Sequence, residues 1–289
     1  VVYFVTGDRQ RLDRVRAAQP SLSHPDERFM LDAPPPEYEP HRSPSAPGHV
    51  NAVLSGIADL DGRRWPLFFK PVGGVKPTAA AFYQQRSPVD IAIHEVAAWW
   101  IARELGPPWS ELVAPAVWFD PPGASDIAEC GSVSLGMSGA GVLPEPGNGF
   151  DQLISDAALF DALIGCQDRH DQNLHAELPA RLGLIDHGYA FARPGDHHNA
   201  YPTAGFFLRM RFGQRRFKVP GRPVLDYSGV GPLSPGLAAH EREAIEKLAA
   251  DPTGLLGVAG ILSDKRADAL RHRILRMSLT DEVLPPGDF

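Results

Sequence analysis

The chain has 289 residues, 43% hydrophobic and 22% charged, the balance of a folded protein with a substantial core. A formal net charge of −7 argues against whole-protein attraction to nucleic acid or to an anionic membrane. Two cysteines, Cys130 and Cys166, cannot build a disulfide framework, and no apolar run approaches the roughly 20 residues that span a bilayer.

In chain order, residues 10–18 read as a short helix and 33–48 as a Pro-rich loop (APPPEYEPHRSPSAPG). Two apolar-rich runs follow, 50–60 and 63–70. Asp61-Gly62 between them is a strong tight-turn signal, so the pair reads as a β-hairpin. Residues 90–105 (DIAIHEVAAWWIAREL) carry apolar groups at helical spacing and stop at Gly106-Pro107-Pro108. Short strands are expected over 112–119 and 130–135.

The stretch 136–149 (GMSGAGVLPEPGNG) reads as a linker. Beyond it the pattern turns helical. Residues 150–166 form an amphipathic helix and 182–185 a short apolar strand. Further helices are expected over 235–250 and 263–277, the latter with Ser263 as N-cap. The division that results is an extension over 1–49, a β-rich part over 50–137 and a helical part over 138–289, all within one domain. The two cysteines read as small, partly buried hydrophobes, and a reducing, cytoplasmic compartment is the expectation.

The chemistry concentrates in CQDRHDQNLHAE and, a few residues on, LGLIDHG. Asp168, Asn173 and Asp186 stand in an Asp-x4-Asn-x12-Asp spacing, the first two in a loop after a helix and the third at the end of an apolar strand. That spacing links the hydroxyl-orienting and metal-holding groups of phosphoryl-transfer enzymes, whose Mg²⁺ is held by hard oxygen ligands. Lys70 ends the apolar run PLFFK, so its ammonium must leave the core or pair with an acid. Glu95, flanked by apolar residues in the helix that follows, is the natural partner, with Glu104 as the rival on the same helix. Past Asp186, Arg193 is followed by Arg209, Arg211, Arg215, Arg216 and Lys218 in RMRFGQRRFK. This basic run reads either as a site for an acidic group on a substrate or as a solvated loop.

The wording DRHxxN…IDHG, which lacks the HRD of protein kinases, resembles the phosphatidylinositol 3-/4-kinase-like group of atypical kinases. That group shades into secretory-pathway and toxin-type serine kinases. The resemblance implies an α+β, bilobal protein-kinase-like fold with ATP and Mg²⁺ between the lobes, Mn²⁺ being an alternative metal. It implies Asp168 as the catalytic base or hydroxyl-orienting group, Lys70 on the nucleotide phosphates held by Glu95, and Asn173 and Asp186 as metal ligands. Arg169 would structure the loop, and His170 would contact the transferring phosphate. The phosphate-covering loop would be 43–51 (SPSAPGHVN), with Ser45 and Gly48 at the nucleotide, although no GxGxxG is present there. The adenine would lie near 131–137, beside Leu135 and Met137.

The expected acceptor is a hydroxyl, with Ser or Thr of a protein or peptide ahead of a lipid headgroup or a small molecule. Usage rich in Ala, Pro, Arg and Gly points to a high-GC bacterial source. Three rival readings are compatible with the sequence. A metallohydrolase would draw on His170, His175, His187, His197 and His198, but HExxH is absent. A nucleotide-binding scaffold without transfer is the non-enzymatic alternative. AMP transfer is compatible with the same residues. Oligomeric state is not encoded in any motif.

Overall fold

A computed structural model describes residues 8–40, 52–75, 87–137, 150–166, 168–170, 173–177, 181–193, 196, 205–218, 224–250 and 252–285. The architecture is mixed α+β. Two N-terminal helices, a five-stranded sheet and one long helix occupy the first half, and helices dominate the second.

The described residues open with helices α1 (Asp8–Ala18) and α2 (Pro25–Asp32). Leu12 and Val15 recur at helical spacing on α1 and are buried. The start of α2 is a reciprocal cap. His24 Nδ1 accepts the Asp26 N–H at 3.3 Å, and Glu27 Oε2 accepts the His24 N–H at 3.2 Å. Pro25 occupies the first turn, where its missing N–H costs nothing. These helices are no appendage, because both pack on the rest of the fold.

The sheet contains β1 (Glu39–Pro40), β2 (Leu54–Leu60), β3 (Arg63–Pro71), β4 (Ala116–Phe119) and β5 (Gly131–Leu135), all antiparallel, in the order β1-β2-β3-β5-β4. The expected hairpin is present. Leu60 pairs with Arg63, and Asp61 and Gly62 both have positive φ, 52° and 79°, as a twisted two-residue turn requires. Among the described residues of the Pro-rich stretch, the two of β1 are extended and paired, Glu39 opposite Ser55 and Pro40 opposite Leu54.

Helix α3 (Pro88–Leu105) is buried around nearly its whole circumference, as an apolar-all-round helix must be. Ser87 caps it. Its Oγ accepts the Asp90 N–H at 3.1 Å, and Asp90 Oδ2 accepts the Ser87 N–H at 3.0 Å. Gly106, at φ 79°, ends it by donating its N–H to the Ala102 and Arg103 carbonyls. The strand expected over 112–119 is shorter than its sequence suggests. Trp109–Leu112 forms a single helical turn (α4) with Trp109 and Leu112 buried one turn apart, and the strand begins at Ala116.

The second half carries α5 (Phe150–Ile164), the hairpin β6 (Leu174–Glu177) and β7 (Arg181–Leu184), then α6 (Phe206–Arg211). A short pair, β8 (Arg216–Phe217) and β9 (Leu225–Asp226), precedes α7 (Ala239–Ala250), α8 (Pro252–Ile261) and α9 (Asp264–Thr280). Helix α7 starts later than its pattern suggests because Pro235 and Gly236 lie in an irregular segment, Gly236 bridging to Glu282. Ser263 stands at the N-cap of α9 with extended backbone angles, yet its side chain makes no cap hydrogen bond. Helix α8 carries no helical signal in its sequence, since PTGLLGVAGI has no polar face to give it a period and three glycines to weaken it.

The halves are joined directly. Val113 bridges to Leu184, and the Ala114 N–H donates to the Leu184 carbonyl at 3.1 Å. Two buried arginines of α9 tie that helix to α5 and to the chain following Asp186. Arg266 Nη1 donates to the Phe191 carbonyl at 2.6 Å and to Asp196 Oδ2 at 2.8 Å. Arg273 donates to the Leu163 and Ala192 carbonyls at 2.8 and 2.6 Å. No helix among the described residues is long and apolar enough to cross a membrane.

Candidate active site

Lys70 lies near the end of β3, opposite Ser132 of β5, and its side chain is on the sheet face turned toward α3. Nζ donates to Glu95 Oε1 at 2.6 Å and to Asp186 Oδ1 at 2.8 Å. Residues separated by 25 and 116 positions thus meet at one ammonium. Burial works against its charge, but Asp186 and Glu95 outweigh that and hold the lysine well above its usual range.

Glu95, in the middle of α3, is 3% exposed. Its carboxylate also receives two backbone donors, the His187 N–H on Oε2 at 2.9 Å and the Gly188 N–H on Oε1 at 3.1 Å. Burial pushes the carboxyl up. The Lys70 charge and the contacts from His187 more than reverse that, so Glu95 lies well below the usual carboxylate range. Glu104, the rival on the same helix, faces Arg103 instead. The imidazole of His187 is itself buried, 3.5 Å from Glu95 Oε2 and edge-on to Phe160, and burial lowers its pKa. Gly188 is required by close approach, since a Cβ there would fall 2.7 Å from Ile91 Cγ2.

Asp186 sits just past β7 with φ 60°, a left-handed conformation that Asp tolerates better than most residues. Such a conformation costs on the order of 1–3 kcal/mol and persists where its surroundings over-determine it. Here the surroundings are Lys70 on the side chain and Glu95 on the next two amides.

The Asp168 loop is built around Arg169, which is fully buried. Its Nε reaches both oxygens of Asp161 on α5 at 3.2 Å, and Nη1 donates to the Asn173 and Ile185 carbonyls, each at 2.6 Å. One guanidinium therefore joins α5, the loop and the residue before Asp186. Burial drives the Asp161 carboxyl up to about 6, with the facing guanidinium drawing it back. Arg169 remains a cation: burial opposes the charge, and Asp161 outweighs it. Asn173 donates from Nδ2 to the Asp168 carbonyl at 2.9 Å, which leaves its amide oxygen as a hard donor. Asp168 is 8% exposed, with His170 Nε2 at 4.0 Å from its Oδ1.

The expected nucleotide contacts fare unevenly. Ser45 and Gly48 lie outside the described residues. Leu135 pairs with Leu67 and so shares its face, opposite to the face of Lys70; its side chain is buried away from the lysine. Met137 packs over Gly183 of β7, where a Cβ would meet Met137 Cε at 2.9 Å.

The expectation for the basic run is corrected at Arg211 and Arg215. Arg211 is 2% exposed, doubly paired with Glu241 at 2.6 and 2.9 Å and bonded to the Ser155, Ser234 and Gly236 carbonyls, so it is not available to a substrate. Arg215 is consumed by the Val230, Met210 and Gly231 carbonyls. Arg209 bonds Gln214 at 2.9 Å and lies over the Phe217 ring, and Arg216 pairs with Asp226 at the surface. This segment is largely a structural knot.

His197 and His198 lie outside the described residues, and His170, His175 and His187 do not converge as a metal-binding set. Asp156, His240 and Glu241 do come close enough to share an ion. However, Glu241 is bound by Arg211, and Asp156 accepts from Gln152 while facing His240 at 2.7 Å. Cavities of about 490 Å³ beside Phe212 and Leu233, and about 250 Å³ between α2 and the sheet, both lie away from Lys70 and Asp186. The convergence of charge marks the site.

Sequence reading did not identify Asp161, Ser132 or the two backbone donors to Glu95. Asp161 in FDALIGCQDR carries a weak signal, an acid within an apolar helix. Ser132, whose Oγ is buried beside Lys70 with no hydrogen-bond partner among the described residues, carries none. No family model matches the chain, and no curated protein matches it.

Proposed function

We propose that the chain is an ATP- and Mg²⁺-dependent phosphotransferase acting on a hydroxyl acceptor, with a bilobal, kinase-like fold related to the phosphatidylinositol 3-/4-kinase-like group. The observation that carries this is the junction of Lys70, Glu95 and the Asp186-His187-Gly188 turn, alongside the Asp168–Asn173 loop that Arg169 ties to it. Phosphoryl transfer needs positioning and charge neutralisation more than covalent chemistry, and these residues are suited to both.

Two of the three Lys70 N–H donors face Glu95 and Asp186, and the third suits a phosphate oxygen. Asp168 would accept a hydrogen bond from the attacking hydroxyl and orient it for in-line displacement. Asp186, whose side chain is 35% exposed, and the Asn173 amide oxygen offer the hard oxygens that suit Mg²⁺. When bound, the ion would offset charge on the phosphates.

Ser or Thr of a protein or peptide is the acceptor we favour. The consumption of Arg211 and Arg215 by internal partners weakens the case for a phosphorylated lipid headgroup. The test is calorimetric titration of ATP with and without Mg²⁺, on the wild type and on Asp186→Ala. Mg²⁺-dependent binding that the substitution abolishes supports the reading and opens a search for the acceptor with radiolabelled ATP. A folded protein that binds no ATP under either condition is a scaffold.

A further inference from the structure

Glu95 can meet Lys70 and two backbone N–H groups only while α3 keeps one depth and one rotation. The N-terminal helices grip α3 on both sides of Glu95. Toward its start, Arg11 Nη1 donates to Asp90 Oδ1 at 2.6 Å and Nη2 pairs with Asp8, all three side chains being buried. Toward its end, Glu27 is wholly buried, and its Oε1 accepts from Trp99 Nε1 at 2.8 Å and from Arg103 Nη1 at 2.7 Å. The His24 ring meets Trp99 edge-on at 5.0 Å. Asp90 and Trp99 are separated by about 14 Å of helix, with Glu95 between them.

Helix α1 is anchored independently of α3. Arg14 Nη1 donates to the Gly260 carbonyl on α8 at 2.8 Å, and Arg16 makes two bonds of 2.7 Å to Asp120 beyond β4. Buried charges are costly unless fully paired, and removing one partner of a buried pair leaves an uncompensated charge.

We propose that Arg11 and Glu27 are positioning residues, and that α1 and α2 brace α3 so that Glu95 is held against Lys70 and the 187–188 backbone. Its purpose rests on the phosphotransferase reading, while its geometry does not.

Hydrogen exchange read by mass spectrometry on the full chain tests the brace, because the His187 and Gly188 amides report directly on the position of Glu95. In Arg11→Ala and Glu27→Gln these two amides are expected to exchange about tenfold faster, and Arg11→Lys restores much of the protection. Leu237→Ala, a core truncation in the segment that bonds the Asp281 carbonyl, is expected to lower the unfolding midpoint without exposing them. If Arg11→Ala fails to fold, Asp90→Asn asks the same question while keeping the shape of the cap.

Wild-type exchange at His187 and Gly188 in the brace variants, or equal acceleration in Leu237→Ala, overturns the proposal. In parallel, Mg·ATP affinity is measured on each protein and is expected to weaken in step with the lost protection. A wild type that binds no Mg·ATP defeats the phosphotransferase reading, and the exchange rates still judge the brace.

Discussion

Glu95 Oε1 accepts the Gly188 N–H at 3.1 Å while also taking the Lys70 ammonium at 2.6 Å. One oxygen of α3 thereby joins the end of β3 to the turn after β7. The approach is close enough that any side chain at 188 would collide with Ile91. Lys70 and Asp186 meet because both are drawn to the same place in the fold, and this has consequences that can be measured.

Glu95→Gln keeps the shape of the side chain and removes the charge facing Lys70. Breaking a buried ion pair from one side costs about 3–5 kcal/mol. The urea midpoint is expected to fall accordingly, with weaker Mg·ATP binding alongside. A midpoint equal to wild type would show that the pair contributes nothing net.

Asp168→Ala is expected to reduce radiolabel transfer from ATP by about 10²–10⁴-fold, the usual worth of a positioned acid–base group. ATP affinity should stay within a few-fold, since the role assigned to Asp168 concerns the acceptor. Full transfer by this variant would remove it from the mechanism.

Arg169→Met leaves Asp161 buried without its partner and strands the Asn173 and Ile185 carbonyls. A loss of about 3–5 kcal/mol is expected by urea unfolding. Adding Asp161→Asn should recover part of it, because the two residues share one network. Strict additivity in that double-mutant cycle would contradict the coupling.

The basic run separates by burial. Arg211→Ala removes a buried partner of Glu241 and is expected to destabilise by about 3–5 kcal/mol. Arg216→Ala alters an exposed pair and should leave the midpoint unchanged. If both behaved alike, the structural role of Arg211 would be wrong.

Acid should loosen the brace. Burial raises the Asp90 pKa, but His94, Arg11 and Arg266 outweigh burial and leave it below the ordinary value. With the folded pKa lowered, the unfolded chain binds the proton more readily. The contribution is therefore complete above the usual Asp range of about 4 and is lost as pH falls through the folded value. Urea midpoints taken from pH 7 to pH 3 should show this decline, and Asp90→Asn should flatten its share of it.

Much of this was legible in the sequence wherever local chemistry suffices. Asp61-Gly62 demanded a hairpin, Gly106 stopped a helix, and the spacing of Asp168, Asn173 and Asp186 marked one loop and one strand end. Local signals failed where no period exists, as in the glycine-bearing α8, and where charge pattern misled, as in RMRFGQRRFK. A run of arginines looks the same in sequence whether it faces solvent or Glu241, because the partner lies 30 residues away.

The sequence alone determined the candidate residue types and their order along the chain, since turn propensity, helical period and the oxygen preference of Mg²⁺ are local or compositional facts. Only the tertiary structure decided that Glu95 rather than Glu104 faces Lys70, that Arg169 answers Asp161, and that Arg11 and Glu27 grip α3 from outside. Those pairings span up to 79 residues of chain, and a buried charge is satisfied by whichever partner the packing brings within reach.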